Sequence, residues 1–267
     1  MAKCSWILLC LTLGALTPRD LAAVELLAHR AVYRMSLLDV ARGSDVIGAD
    51  GTMLYRFARG CDGWTIENRT QLRLVYGGGV VAETVWTYAS WEADDGLGFR
   101  FLARYDQNGR TIERLEGRAT LSAKGGGGTA RFVRPEEKEV ALPKGTLFPT
   151  EHMRVFVDAA TAGETRLSRV VFDGASLDNP FLVNAVFAPL AADGADALAA
   201  AAGLGSVPTW WTRMAFFPYY TASAMPEFEI GANYRADGVA DGITQHFDTF
   251  SLQVGLTALQ ALPPPDC

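Results

Sequence analysis

The sequence predicts an all-β protein built on a single large antiparallel sheet. Apolar and polar residues alternate with a period of two over most of the chain, which is the pattern of half-buried strands. Short turn motifs rich in glycine, asparagine and aspartate separate the alternating segments at hairpin-like distances. A sheet with this many strands would expose unpaired edges if it stayed open, so we expect it to be curled or closed.

The N-terminal half is predicted to form strands joined by tight turns. Gly77-Gly-Gly and Asp94-Asp-Gly predict turns, and Asn108-Gly109 is a good hairpin motif. Lys124 and the four glycines after it join the last pair of strands. The predicted strands span residues 33–37, 51–58, 64–74, 80–91, 97–105, 111–122 and 129–142.

The period then changes from strand to helix. Apolar residues recur at helical spacing between residues 153 and 160. Thr150 is predicted to be the N-cap of this helix, and Gly163 is predicted to end it. An alanine-rich segment at residues 196–202 predicts a second, short helix that ends at Gly203.

The final third returns to alternating strands and ends in a stiff, extended tail, Leu262-Pro-Pro-Pro-Asp-Cys. No shift in composition divides the chain, so we expect residues 24–267 to form one domain. The predicted strands after the first helix span residues 166–172, 184–188, 209–217, 227–235, 239–248 and 250–256.

Residues 1–23 have the three parts of a secretory signal peptide. Lys3 supplies the positive charge, and residues 6–16 form an apolar run that is too short to span a bilayer. Leu21-Ala22-Ala23 provides a site for cleavage, although an uncleaved N-terminal helix is an alternative. We therefore expect an exported protein, periplasmic in a Gram-negative bacterium, with no transmembrane segment in the mature chain.

Cleavage would remove Cys4 and Cys10 and leave only Cys61 and Cys267. Two cysteines are the minimum for one disulfide, and an exported chain fits an oxidising compartment. A bond between them would tie the tail back to an early strand, whereas two unrelated free thiols are the alternative.

Composition limits the class of partner. The 267-residue chain has a formal net charge of −6, with 49% hydrophobic and 20% charged residues, which is ordinary for a globular protein. The mild acidity argues against a nucleic-acid partner, and against docking on anionic lipid by charge alone.

The chain contains no recognisable catalytic motif, and we expect it not to be an enzyme. Gly-x-Ser-x-Gly and Ser-x-x-Lys are absent, and the three histidines are too far apart in sequence to predict a metal site or a cofactor. Thr150, Glu151 and His152 form the one candidate cluster for acid–base chemistry or for an anion at the helix N-terminus. The alternative is a purely structural, capped helix.

Aromatic residues in the predicted strands are the other candidate binding residues. Trp210, Trp211, Phe216 and Phe217 could line an apolar groove, together with His152. Adjacent residues on a strand face opposite sides of the sheet, so some of these aromatic side chains are expected to be core.

An ordered set of short motifs resembles the EipB-like family of bacterial periplasmic cell-envelope proteins. The set spans nearly the whole mature chain and includes cysteines at both ends. The motifs are His29-Arg-Ala-x-Tyr, Gly51 with Cys61-Asp-Gly-Trp, Leu147-Phe-Pro-Thr-Glu-His-Met, Val171-Phe-Asp-Gly, Met214-Ala-Phe-Phe, Pro226-Glu-Phe-Glu, Asp237-Gly-Val-Ala-Asp-Gly, Asp248-x-Phe-Ser-Leu and the terminal Pro-Asp-Cys.

The resemblance implies a β-spiral or half-barrel, a Cys61–Cys267 disulfide, and a role in envelope integrity under stress without an established catalytic activity. The chain is expected to bind an apolar ligand, a lipoprotein or an extended polypeptide in the curled sheet, and to work with other envelope proteins. A strand-edge partner could add by β-augmentation. The alternatives are an envelope hydrolase or isomerase that uses His152 with Thr150 and Glu151, and a purely structural envelope scaffold.

Overall fold

The computed structural model describes residues 25–190, 199–200 and 202–267, and its fifteen strands form one sheet. Helix α1 (Pro149–Thr161) is the long helix of this part of the chain. The strands are β1 (His29–Val40), β2 (Val46–Arg59), β3 (Gly63–Tyr76), β4 (Val81–Ala93), β5 (Gly98–Gln107), β6 (Arg110–Leu121), β7 (Gly128–Arg134), β8 (Lys138–Leu142), β9 (Thr146–Leu147), β10 (Arg166–Val171), β11 (Phe181–Pro189), β12 (Thr209–Pro218), β13 (Phe228–Arg235), β14 (Ala240–His246) and β15 (Phe250–Ala261).

Two meanders meet at a central seam. Strands β1 to β8 pair in sequence order, as do β9 to β15, and β15 then pairs antiparallel with β1. The outermost strands of the sheet, β8 and β9, are therefore consecutive in the chain. Every pair is antiparallel except β9 with β10, which are parallel because α1 connects them. This confirms the predicted curled, mainly antiparallel sheet.

The predicted strands are confirmed with one exception, and the structure extends several of them. The prediction of one strand over residues 129–142 is wrong, because the chain turns after Pro135 and forms two paired strands, β7 and β8. The Asn108–Gly109 turn has positive φ at both residues, as a tight hairpin requires. Gly163 also has positive φ and follows the end of α1, as predicted. The two-residue strand β9 was not predicted, because so short a segment shows no alternation. The predicted signal peptide, and residues 196–198 and 201 of the predicted second helix, lie outside the described residues.

The inner side of the sheet is packed by two large apolar clusters. Phenylalanines from β5, β7, the α1 entry and the end of β10 form the first cluster, with Phe99 stacked on Phe148 at 4.8 Å between ring centroids. The second joins the apolar side of α1, through Phe156 and Val157, to β10–β13. Burying rings of this size contributes about 1.5–3 kcal/mol each, so these clusters hold α1 against the sheet.

The prediction that Thr150 caps α1 is wrong. The N-cap position is Phe148, whose side chain cannot accept a hydrogen bond, and Pro149 is the first helical residue. The acceptor comes from a distant strand instead. The buried carboxylate of Glu92 on β4 accepts the backbone N–H groups of Thr150 at 2.7 Å and Glu151 at 2.9 Å.

A disulfide joins Cys61, in the turn between β2 and β3, to the terminal Cys267, as the family resemblance implied. The two Cα atoms lie 5.8 Å apart, although 206 positions separate the residues in sequence. The bond holds the tail that follows β15 against the end of the sheet where α1 begins, because the β2–β3 and β4–β5 turns share that end.

Candidate ligand-binding cavity

A cavity of about 580 Å³ lies on the inner side of the curled sheet. It lies towards the end of the sheet that carries the β1–β2, β3–β4 and β14–β15 turns, which is opposite the disulfide. The phenylalanine cluster and α1 fill the other end. The cavity is therefore the part of the interior that the side chains of this chain leave empty.

The wall of the cavity is mostly apolar. Strand alternation produces this wall, because every second residue of β1–β5 and β13–β15 faces inward. The volume of the cavity falls within the range of roughly 300–1,000 Å³ that small-molecule sites occupy. The apolar lining residues are Met35, Met53, Leu72, Leu74, Trp86, Tyr105, Ala175, Phe181, Phe228, Ile230, Phe247, Phe250 and Leu252.

The loop between β10 and β11 adds a carboxyl group to the wall. The Asp173 carboxylate accepts a hydrogen bond from the backbone N–H of Ala175 at 2.9 Å. The backbone N–H of Asp173 donates to the side-chain amide oxygen of Asn179. The Tyr88 hydroxyl donates to the Asp173 backbone carbonyl at 2.8 Å, which ties the loop to β4. Burial raises the pKa of the Asp173 carboxyl above its ordinary value.

Polar groups from the opposite side of the cavity come from β13 and β14. His246 lies between the Arg213 guanidinium, 3.1 Å from Nε2, and the Ser251 hydroxyl, 2.9 Å from Nδ1. Since the guanidinium can only donate, Nε2 accepts its hydrogen bond and Nδ1 carries the proton that it donates to Ser251. Glu229 pairs with His246 across the two strands, and both border the cavity at its edge, since their neighbours Ile230 and Gln245 are the inward-facing residues.

The end of the sheet nearest the cavity also exposes apolar side chains. Three of them lie at the ends of β1 and β2, and two lie in the β3–β4 and β14–β15 connections. Of these side chains, Phe247 also lines the cavity. The exposed residues are Leu38, Val40, Ile47, Val80 and Phe247.

The five binding candidates taken from the sequence lie elsewhere. Trp210 is buried in the core under α1, and Trp211 is exposed on the outer face. Phe216 stacks on the cavity residue Phe228 at 4.4 Å between ring centroids, and Phe217 is half-buried on the neighbouring position of β12. None of the five, His152 included, belongs to the cavity wall.

The three candidate residues for acid–base chemistry point in different directions. Thr150 and His152 are buried, whereas Glu151 pairs with Lys124 and Arg154 at the surface. Side chains at adjacent positions of a helix do not face one another, so the structure does not bring the three together. His152 Nε2 has no hydrogen-bond partner in the described part of the chain, and burial lowers the pKa of the imidazole to about 4.

Sequence reasoning missed the cavity residues themselves. The alternation assigned Met35 to one face of its strand with Tyr33. It could not show that β15 would pair beside β1 and extend the wall on that face. Membership of the wall depends on pairings between residues more than 200 positions apart, such as Met35 with Val254.

The pattern of the family described as EipB-like matches residues 20–263, which is most of the chain. The chain belongs to the EipB-like family. Among its relatives, the cell envelope integrity protein EipB of Brucella abortus (strain 2308) is 26% identical over 241 residues, covering 89% of this chain and 85% of that protein.

A solved structure of a family relative has the same fold. It is the crystal structure of a β-barrel-like protein of a domain of unknown function, DUF1849, from Brucella abortus. Its TM-score to this chain is 0.81 at 25% identity, and the match covers 90% of this chain and all of that one. This chain and that protein thus share the curled sheet. No helix among the described residues is both long and apolar enough to cross a membrane.

Proposed function

We propose that this chain is an exported, non-enzymatic protein of the bacterial periplasm that supports cell-envelope integrity by holding an apolar ligand inside its curled sheet. The cavity of about 580 Å³ is the observation that carries the proposal. The name of the Brucella relative supports the envelope role, and the predicted signal peptide supports export.

An apolar small molecule suits this cavity better than an extended polypeptide. A polypeptide needs backbone partners, which it finds along an open sheet edge. The cavity wall consists of side chains on the inner face of paired strands, so it offers few such partners. Asp173 in the wall and His246 at its edge provide polar groups at separate points beside an apolar surface, which suits a ligand with a long apolar body and a small polar group.

Displacement of a fluorescent probe tests the proposal. Anilinonaphthalene sulfonate should bind the purified protein, and palmitate should displace it. Thr70→Phe places a ring in the cavity from β3, and we expect it to weaken probe binding roughly tenfold or more, because the ring occupies apolar surface that the probe would bury.

Gln71→Phe is the matched control. It adds the same ring to the next residue of β3, which faces outward, so probe binding should not change. In a strain that lacks the protein, the control should restore growth in detergent and Thr70→Phe should not. Equal probe affinity of the two variants, or failure of palmitate to compete, would contradict the proposal.

A further inference from the structure

Three arginines occupy directly opposed positions on three neighbouring strands. Arg100 of β5 faces Arg118 of β6, and Arg118 faces Arg131 of β7. All three side chains are exposed on the outer face, since their strand neighbours Phe99, Ala119 and Ala130 are buried inside. Neighbouring strands lie about 4.8 Å apart, and like charges placed directly opposite one another destabilise a sheet.

The chain itself does little to neutralise this arginine row, defined here as Arg100, Arg118 and Arg131. Arg131 pairs with Glu139 at 3.0 Å, and Arg100 lies over the Trp91 ring, 5.0 Å from its centroid. Arg118 makes no hydrogen bond, ion pair or ring contact with any residue that the structure describes.

The nearest acidic residues are already paired with other arginines. Glu116 accepts from Arg114 at 3.0 Å, and Glu67 from Arg56 at 3.4 Å. The row is therefore a local excess of positive charge on a chain whose formal net charge is −6. A row that costs stability and whose central arginine, Arg118, has no partner among the described residues fits an anion supplied from outside.

The arginine row borders a shallow depression of about 710 Å³ on the outer face. Arg100 and Arg118 line it together with the apolar side chains of Trp91, Leu102 and Val133, and with Glu67 and Glu116, whose charges Arg56 and Arg114 balance. A guanidinium presents a planar set of donors that matches a phosphate group. Tryptophan and aliphatic side chains beside cations are the composition of surfaces that lie at a membrane interface.

We propose that the outer face of β5–β7 docks on the phosphate-bearing headgroups of an anionic lipid bilayer. The arginine row would contact the lipid phosphates. The adjacent apolar side chains would contact the boundary between the headgroups and the acyl chains. An acidic protein partner would not need these apolar side chains, and a free phosphate ion would not need a row that crosses three strands. Because the rest of the chain is acidic, only this face would be attracted, which orients the molecule. This docking does not depend on the interior cavity.

Sedimentation with lipid vesicles tests the docking. The purified protein should bind vesicles of phosphatidylcholine mixed with phosphatidylglycerol, should not bind phosphatidylcholine alone, and should be released by salt. The double variant Arg100→Gln, Arg118→Gln should bind the mixed vesicles roughly 30-fold more weakly, since each interfacial arginine accounts for about fivefold. Arg34→Gln, which changes an exposed arginine on the outer face of β1, should bind as the wild type does.

Thermal unfolding separates docking from a structural role. Since the row is repulsive, Arg118→Gln should unfold at the wild-type temperature or above it, whereas a stabilising arginine would lower that temperature when replaced. Equal vesicle binding by the double variant and the wild type would overturn the proposal. Release of the protein from mixed vesicles by inorganic phosphate, at an ionic strength at which chloride does not release it, would also overturn the proposal. Binding to polyglutamate without binding to mixed vesicles would overturn it as well.

Discussion

At the scale of single residues, Glu92 is the polar group on which the helix entry depends. Its carboxylate takes the place of an N-cap for α1, although it lies 58 positions before Thr150. Burial raises the pKa of this carboxyl to about 7, while the two N–H donors of α1 act in the opposite direction. His152, two residues further along α1, has the reverse shift, since burial lowers its pKa to about 4.

These two groups make opposite contributions to the pH dependence of stability. A carboxyl with a raised folded-state pKa contributes stability that is fully present below its ordinary value of 4.5 and is lost as the pH rises through about 7. A buried neutral histidine contributes stability above its ordinary value of 6.5, which is lost as the pH falls through about 4. The wild-type profile should therefore be flatter than either group alone would make it.

Replacing Glu92 by glutamine should expose the histidine contribution. We expect the free energy of unfolding of Glu92→Gln, relative to wild type, to rise by on the order of 3 kcal/mol between about pH 4 and pH 8, because the variant has no carboxylate to ionise. Urea denaturation across this pH range measures the difference. Glu83→Gln, which changes an exposed carboxyl on the same strand, is the matched control. Parallel profiles for Glu92→Gln and wild type would contradict this account.

At the scale of elements, the loop after β10 links the aromatic core to the cavity. Gly174 in this loop has a φ of +68°, and a Cβ atom there would lie 2.3 Å from the Phe101 ring. The loop can pass over the ring only because the residue is glycine. Phe101 also contacts Phe172 and Phe132 edge-on, so it cannot move without disturbing the cluster.

Gly174→Ala should destabilise the protein by roughly 2–4 kcal/mol, since overpacking adds to the strain of positive φ. Gly43→Ala is the matched control, because Gly43 has a φ of +87° with nothing within 4 Å of the added Cβ. We expect it to cost about 1 kcal/mol from the backbone alone. Chemical denaturation of both variants measures the two costs, and equal costs would show that the contact with Phe101 is not limiting.

The sequence was informative about elements whose signals are local. Hairpins such as Asn108–Gly109 were predicted because the turn residues themselves determine the geometry. The start of α1 was misplaced because its acceptor, Glu92, belongs to another element. The cavity could not be predicted because its wall needs the pairing of β1 with β15. Trp210 and Met53 look equally apolar in the sequence, and only the curled sheet shows that Met53 lines the cavity and Trp210 does not.

At the scale of the whole molecule, the disulfide is a link between distant parts of the chain. Regular pairing ends at Ala261, which lies opposite His29, and the last six residues belong to no strand. The Leu262 N–H donates a hydrogen bond to the Ala28 carbonyl at the start of this tail. The disulfide of Cys267 attaches its other end covalently. A bond that closes so long a loop acts mainly by restricting the unfolded chain.

The Cys61→Ser, Cys267→Ser double variant should lose up to about 5 kcal/mol of unfolding free energy while keeping its fold. Guanidinium denaturation measures the loss, with circular dichroism to confirm the sheet. Dithiothreitol should lower wild-type stability to that of the variant and leave the variant unchanged. A variant as stable as the oxidised wild type would show that the link adds nothing to the folded state.

The pairing of β1 with β15 determines when the molecule can be completed. Synthesis delivers β1 first and β15 last, so one flank of β1 has no neighbour until almost the entire polypeptide is available. The strands of the first meander can assemble as successive hairpins during that interval, but the second meander cannot join them. A newly made copy therefore presents an open strand that a second copy could join, and rapid arrival of the final segment is its protection against such association.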